Sequence, residues 1–249
     1  MKVFHGIDRL PAFRHPAATV GSFDGVHGGH SELLAAVRRF ARERDGESIV
    51  VTFSPHPRIV LETQTDLRLL TTLDEKVWLL ERAGIDNLVV IPFTREFSRT
   101  GSADFIRRDL IGKPGVETLV MGYNHHFGHN KEGDYGSLRS SERPTLRLYR
   151  IEPFSVGGEK VSSTVVRSLV EHAEMARAAR MLGHPYLLMA DVARGSLRID
   201  DPYKLLPPAG EYSVTADGVP VRLFIPSEGA PHLDRPFTKE KSIIEFTAL

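Results

Sequence analysis

Within ten residues, Gly21-Ser22-Phe23-Asp24-Gly25-Val26-His27-Gly28-Gly29-His30, the chain places four glycines, two histidines and one aspartate. This combination suits anion chemistry. Gly28 and Gly29 carry no Cβ, so a phosphate can come close to the backbone. His27 and His30 are three residues apart, a spacing that puts both on one face if they share a first helical turn. Their imidazoles can donate hydrogen bonds to an anion and add charge when protonated. Taken alone, His-x-Gly-His reads as a glycine turn with two surface histidines. What decides between the readings is the element on either side.

Before the turn lies Ala17-Ala18-Thr19-Val20, short and apolar, which predicts a buried strand. After it, Ser31 to Phe40 has apolar residues at helical spacing. The turn therefore joins a strand to a helix. There an α/β sheet binds ligands, and a helix N-terminus offers free N–H groups to a phosphate. In that setting the phosphate reading is favoured.

The same alternation continues along the chain. Ser48–Phe53 predicts a second strand, running into Ser54-Pro55-His56-Pro57-Arg58, a turn stiffened by two prolines. His56 and Arg58 could meet a ligand there or simply face solvent, and spacing does not choose. Leu73–Gly84 predicts an amphipathic helix ended by glycine, with Trp78 in packing. Asn87–Ile91 predicts a strand. Ser102–Leu110 predicts a helix with Ser102 as N-cap, and Glu117–Gly122 another strand. That strand empties into a loop from Tyr123 to Asp134, through Asn124, His125, His126, Phe127 and His129. Its histidines match no standard zinc spacing, so substrate contact is preferred to a transition metal. Leu146–Ile151 predicts a strand. Val161-Ser162-Ser163-Thr164-Val165-Val166-Arg167 opens a helix whose hydroxyls suit capping and whose arginine could fork onto a phosphate. Strands alternating with helices imply a parallel, helix-covered sheet. From residue 186 the pattern changes to short β-like runs between Pro/Gly turns, namely Tyr212–Thr215, Val221–Ile225 and Ile243–Phe246. The expected division is an α/β domain over 1–185 and a small β domain over 186–249.

The totals fit this picture. With 249 residues, 41% hydrophobic and 26% charged, the composition is ordinary for a globular protein. Lys+Arg and Asp+Glu both number 32, which argues against a strongly basic nucleic-acid surface. There is no cysteine, so disulfides and thiolate chemistry are excluded. The N-terminal residues lack a signal-peptide core, and no stretch reaches the length of a membrane span. The expectation is a cytoplasmic protein with no membrane and no nucleic-acid partner. Association into a homo-oligomer is left open.

Six segments in order resemble the FAD synthetase (FMN adenylyltransferase) module of bacterial bifunctional riboflavin kinase/FAD synthetases. They are Gly21–His30, Val51–Arg58, Leu70-Thr71-Thr72-Leu73-Asp74-Glu75-Lys76, Gly122–Gly128, Ser162–Arg167 and Leu182–Tyr186. The resemblance implies a Rossmann-like nucleotidyltransferase fold. It also implies transfer of AMP from ATP to FMN, giving FAD and pyrophosphate, with Mg2+. By that analogy His27, His30, Asn124 and Arg167 are catalytic. Gly21, Phe23, Asp24, Gly25, Gly28, Gly29, Ser162, Ser163 and Thr164 bind ATP. Ser54, Pro55, His56, Pro57, Arg58, Tyr123, His125 and Phe127 bind the flavin. Mg2+ would sit on phosphate oxygens and water, with Asn124 as the nearest protein candidate.

Two departures stand out. His125 occupies a position where many members carry an aromatic residue. In addition, no Pro-Thr-Ala-Asn kinase motif occurs. Gly195-Ser196-Leu197-Arg198-Ile199-Asp200-Asp201-Pro202 stands near its place, although Lys204–Tyr212 resembles a barrel segment of the kinase. The expectation is a truncated, kinase-inactive barrel remnant. A different phosphorylated acceptor, or a non-catalytic nucleotide- or flavin-binding paralogue, are the competing readings.

Overall fold

Every residue of Ala17–Val20 is buried, and this strand, β2, lies inside a six-stranded sheet. The computed structural model describes residues 1–63, 66–123, 126–128, 132–140 and 146–247. It divides into two compact units. One holds Met1–Phe23, Gly29–Leu67 and Val77–Phe154, and the other Asp24–Gly28, Arg68–Lys76 and Ser155–Leu249.

In the first unit the strands are β1 (Lys2–His5), β2, β3 (Ser48–Ser54), β4 (Asn87–Pro92), β5 (Thr118–Gly122) and β6 (Arg147–Ile151). Their order is β1-β4-β3-β2-β5-β6, and every pairing is parallel. The central strands are continuous apolar runs because helices cover both faces of such a sheet. At the edge, β6 reads Arg-Leu-Tyr-Arg-Ile and is only partly buried. Helix α1 (Gly28–Arg42) follows β2 and carries Arg39 and Arg42 in its last turn, where they complement the helix dipole. The short α2 (Pro57–Val60) follows β3, and α3 (Leu73–Arg82) precedes β4. One α-helical turn, α4 (Ser102–Asp104), runs into a π-helical stretch over Phe105–Gly112. Ser102 is not the N-cap. Gly101 takes that position, and the Ser102 amide donates to Glu132 Oε1 at 2.8 Å. Helix α5 (Tyr135–Ser140) precedes β6.

The second unit contains a two-stranded ribbon, β7 (Ser155–Val156) with β8 (Glu159–Lys160), and helices α6 (Ser163–Glu171) and α7 (Met175–Leu182). Six antiparallel strands then close into a barrel: β9 (Leu187–Ala193), β10 (Ser196–Arg198), β11 (Gly210–Ala216), β12 (Val219–Ile225), β13 (His232–Leu233) and β14 (Lys239–Phe246). Two hairpins set its register. Asp217-Gly218 joins β11 to β12 and Arg194-Gly195 joins β9 to β10, with positive φ at all four residues. Two-residue loops of that conformation match the right-handed twist of paired strands. Alternate residues Val221, Leu223 and Ile225 point into the barrel core. Among the described residues no helix is long and apolar enough to cross a membrane.

Candidate active site

Chain order runs outward from β2 to β3 and β4 on one side, then returns to β5 on the other. The crevice beyond the carboxyl ends of β2 and β5 is therefore the switch point, where open parallel sheets bind ligands. Gly21–Phe23 leave β2 there and Tyr123 leaves β5. The Ser54–Arg58 turn leaves the same sheet edge at β3.

The β3 turn is held locally. Its Ser54–Pro55 peptide is cis, and Pro57 is the first residue of α2. His56 caps that helix, its Nδ1 accepting from the Arg58 amide at 3.2 Å. Pro55 and Arg58 are exposed. Tyr123 is also exposed and lies under the Arg150 guanidinium at 4.9 Å. Phe127 sits differently. Its ring is 6.2 Å from Phe105, in an aromatic cluster with Phe53, Phe93 and Phe97. Asn124 and His125 lie outside the described residues.

On the other side of the turn, α1 begins at Gly28, three residues earlier than the apolar spacing indicates. Gly28, Gly29 and His30 form its first turn, whose amides have no partner within the helix. His27 precedes the helix and does not share its first turn, as the spacing had suggested. Phe23 is buried, and its ring packs at 5.0 Å from His30. Between them the backbone is tightly constrained, with φ of +48° at Phe23, +83° at Gly25 and +42° at Val26. For a β-branched residue such as Val26 this is a true outlier. Backbone of that kind costs about 1–3 kcal/mol per residue and gathers at functional sites.

Asp24–Gly28 has its own set of partners within the second unit. The buried Asp24 carboxylate accepts from Arg167 Nη2 at 2.8 Å through Oδ2 and from the Thr71 amide at 3.1 Å through Oδ1. Arg167 also donates from Nε to the Arg68 carbonyl at 2.7 Å. The Ser163 hydroxyl donates to the Asp24 carbonyl at 2.8 Å, and the Gly25 amide donates to Thr71 Oγ1 at 3.0 Å. Ser162 is the N-cap of α6, accepting from the Val165 amide, and Thr164 is exposed. At Gly25 a Cβ would stand 2.8 Å from Leu70 Cδ1, so glycine is required by space as well as by φ.

Electrostatically the turn combines the neutral imidazole of His27 with the buried Asp24–Arg167 ion pair. Burial lowers the His27 pKa to about 4, although the Asp24 carboxylate pulls it upward. At neutral pH His27 is therefore a hydrogen-bond donor and not a cation. His184 places Nε2 3.1 Å from the Gly25 carbonyl and Nδ1 2.7 Å from that of Pro185. Burial lowers its pKa as well, against the pull of those carbonyls. The buried Lys76 ammonium is pushed down to about 8 by burial, opposed by Asp24 and then Asp201.

The structure thus brings together Asp24, Gly25, Ser163 and Arg167. It adds Thr71, Arg68 and His184, which the sequence reading did not name as site residues. Thr71 lies in the quoted Leu70–Lys76 segment and His184 in Leu182–Tyr186, so both were visible as motif without an assigned role.

Comparison with known proteins agrees with this architecture. A family model described as FAD synthetase matches residues 11–165. The chain is 31% identical over 198 residues to a bifunctional riboflavin kinase/FMN adenylyltransferase of Escherichia coli K12, covering 78% of this chain and 63% of that relative. The enzyme of the same description from Listeria monocytogenes is 28% identical over 208 residues, covering 78% and 66%. That from Pseudomonas fluorescens is 28% identical over 256 residues, covering 94% and 82%. This chain therefore spans about two thirds of the length of the first two. A crystal structure described as a macrolide-efflux protein from Streptococcus pneumoniae shares the fold, with a TM-score of 0.83, 20% identity, and coverage of 99% of this chain and 90% of that one. Because the family model spans more than half of the residues, including the Gly21–His30 turn and most of the Ser162–Arg167 segment, the chain belongs to the FAD synthetase family.

Proposed function

We propose that this protein is an FMN adenylyltransferase: it transfers AMP from ATP to FMN, forming FAD and releasing pyrophosphate. The observation that carries the reading is the Gly21–His30 turn at the switch point of a parallel sheet, in a chain of the FAD synthetase family. An FMN phosphate oxygen attacks the α-phosphorus of ATP, the bond to the β-phosphate bridging oxygen breaks, and pyrophosphate leaves. No protein nucleophile is needed. Catalysis then comes from holding two anions together and stabilising charge on the transferred phosphate.

In this reading the Gly28–His30 amides and the His27 and His30 imidazoles bind phosphate oxygens. Arg167 and Ser163 shape the turn by holding Asp24, in addition to any contact with the triphosphate. Ser54–Arg58, Tyr123, His125 and Phe127 serve the flavin side, and Asn124 the metal–phosphate region. Magnesium neutralises phosphate charge and would arrive with ATP, bound by phosphate oxygens and water. The Asp24 carboxylate is already committed to Arg167 and Thr71, which supports that arrangement. The lack of a Pro-Thr-Ala-Asn motif supports an absence of riboflavin phosphorylation. ATP and FMN as substrates support a cytoplasmic location.

The test is incubation of purified protein with FMN, ATP and Mg2+, following FAD and pyrophosphate by chromatography, with riboflavin in a parallel reaction. FAD from FMN and nothing from riboflavin is the expected result. FMN formed from riboflavin would restore kinase activity to the barrel. ATP binding without FAD would turn the reading toward another acceptor or a binding role.

A further inference from the structure

We infer that Lys204, in the segment that leads into the barrel strand β11, is a positioning residue for the nucleotide turn and acts on it through Arg68–Lys76. This rests on the reading of that turn as the ATP site. Lys204 Nζ donates to the Leu70 carbonyl at 2.6 Å, to Glu75 Oε2 at 2.7 Å and to the Leu187 carbonyl at 2.9 Å. An ammonium has three donors, so all are used. Glu75 completes the arrangement, Oε2 accepting from the Thr72 amide at 2.9 Å and Oε1 from the Met189 amide at 2.8 Å.

The Leu70 carbonyl and the Thr72 amide belong to the two peptide groups that flank Thr71. The buried Lys204–Glu75 pair therefore fixes both of them. Thr71 is the residue whose amide binds the Asp24 carboxylate and whose hydroxyl accepts from Gly25. Next to it, Leu69 exchanges backbone hydrogen bonds with Tyr203 and Leu205 on either side of Lys204. The Arg68 carbonyl then holds Arg167, the partner of Asp24. A buried ion pair is commonly replaceable by apolar side chains without loss of stability, so stability does not account for one aimed at two backbone positions. Orientation of Thr71, and through it of Asp24 and Gly25, does.

The test compares wild type, Lys204→Met, Lys204→Met with Glu75→Gln, and Thr71→Val. The double variant removes the unpaired buried charge and keeps one acceptor oxygen, which serves either the Thr72 or the Met189 amide. In it, KM for ATP should rise about tenfold, the size of a contact coupling, while KM for FMN stays near wild type and the melting midpoint falls less than in Lys204→Met alone, which strands the Glu75 charge. Adding Thr71→Val should raise the ATP KM little further, because both changes act on one path. A purely structural role would lower the active fraction and leave both KM values alone. An unchanged ATP KM in the folded double variant overturns the inference. Amide hydrogen exchange at Thr71 and Thr72, read without substrate, should speed up in the double variant, and unchanged exchange overturns the inference whether or not wild type makes FAD. If wild type neither makes FAD nor binds ATP, it is the proposed function that fails. If no Lys204 variant folds, wild-type exchange at Leu69 and Leu205 is read with a non-hydrolysable α,β-methylene ATP analogue. Slower exchange supports the inference and no change overturns it.

Discussion

In the first unit Arg14 meets Asp45 with side chains 60% and 85% exposed, whereas in the second Arg167 meets Asp24 at 9% and 5% and Lys204 meets Glu75 at 1% and 0%. Among the described residues Asp109 is the deepest acid of a first-unit ion pair, and its partners Arg108 and Lys113 stay nearer the surface. Burying both members of a pair costs desolvation that their attraction repays only when the remaining donors and acceptors are satisfied. In the second unit they are: both acids accept backbone amides and both bases donate to backbone carbonyls. The two pairs also bond to interleaved positions of one segment, Arg68 and Thr71 for the first and Leu70 and Thr72 for the second. Exposed pairs decorate both units, as Arg222–Glu211 does in the second, while among the described residues the pairs buried at both ends, Arg167–Asp24 and Lys204–Glu75, fix backbone beside the candidate site.

The largest break in that contrast is Arg167→Met. It strands the Asp24 carboxylate, and denaturant unfolding should show a loss of about 3–5 kcal/mol. FAD formation should fall with it, beyond what the unfolded fraction explains. A loss under about 1 kcal/mol would put this pair in the surface class and remove the contrast. Arg167→Met with Asp24→Asn should recover much of the stability and little of the activity.

His27 sharpens the comparison through pH. Its folded pKa is about 4 against an ordinary 6.5. The unfolded imidazole therefore takes up a proton below 6.5 while the folded one does not until about 4. Between those values the unfolded state binds more protons, so stability is fully present above 6.5 and is lost as pH falls toward 4. The loss is about 3 kcal/mol from this group. His184, also lowered by burial, acts in the same direction. Unfolding of wild type and His27→Gln at several pH values isolates the first share, and equal slopes over the window would sink the assignment. Gly25→Ala comes next, at about 2 kcal/mol, because it forces a Cβ onto φ +83° and against Leu70. Tolerance of alanine there would mean that the turn relaxes freely and is not held by Thr71.

Much of this was legible in the residues. Parallel strands announced themselves as apolar runs, and Ala17–Val20 followed by Gly21–His30 pointed to the switch-point turn. The late β region was visible from Val221–Ile225 and Ile243–Phe246, the resemblance pointed to a barrel remnant, and the structure closes six strands into a barrel. What stayed hidden has a common cause. Glu75 and Lys76 sit on α3 where helical spacing assigns a polar, solvated face, yet both are buried. Lys204 looks like a loop lysine. Burial of a charge depends on a partner more than a hundred residues away, and periodicity reports only neighbours a few residues apart. The positive φ at Phe23 and Val26 was equally unreadable, because neither residue type favours it.

Arg14→Ala is the smallest expected effect and the control for the whole contrast. Arg14 and Asp45 are both largely in water, where attraction is weak, side-chain entropy opposes it and salt screens it. Its removal should change unfolding free energy by less than about 1 kcal/mol, and less again in high salt. The Arg14 amide also donates to Glu47 Oε2 at 2.8 Å, and its carbonyl accepts from the Glu47 amide at 2.9 Å. Both bonds are made by backbone, so alanine keeps them. A large, salt-insensitive loss would show that an exposed pair can hold backbone as firmly as a buried one. Depth of burial would then no longer explain why the charged residues beside the turn are the ones that position it.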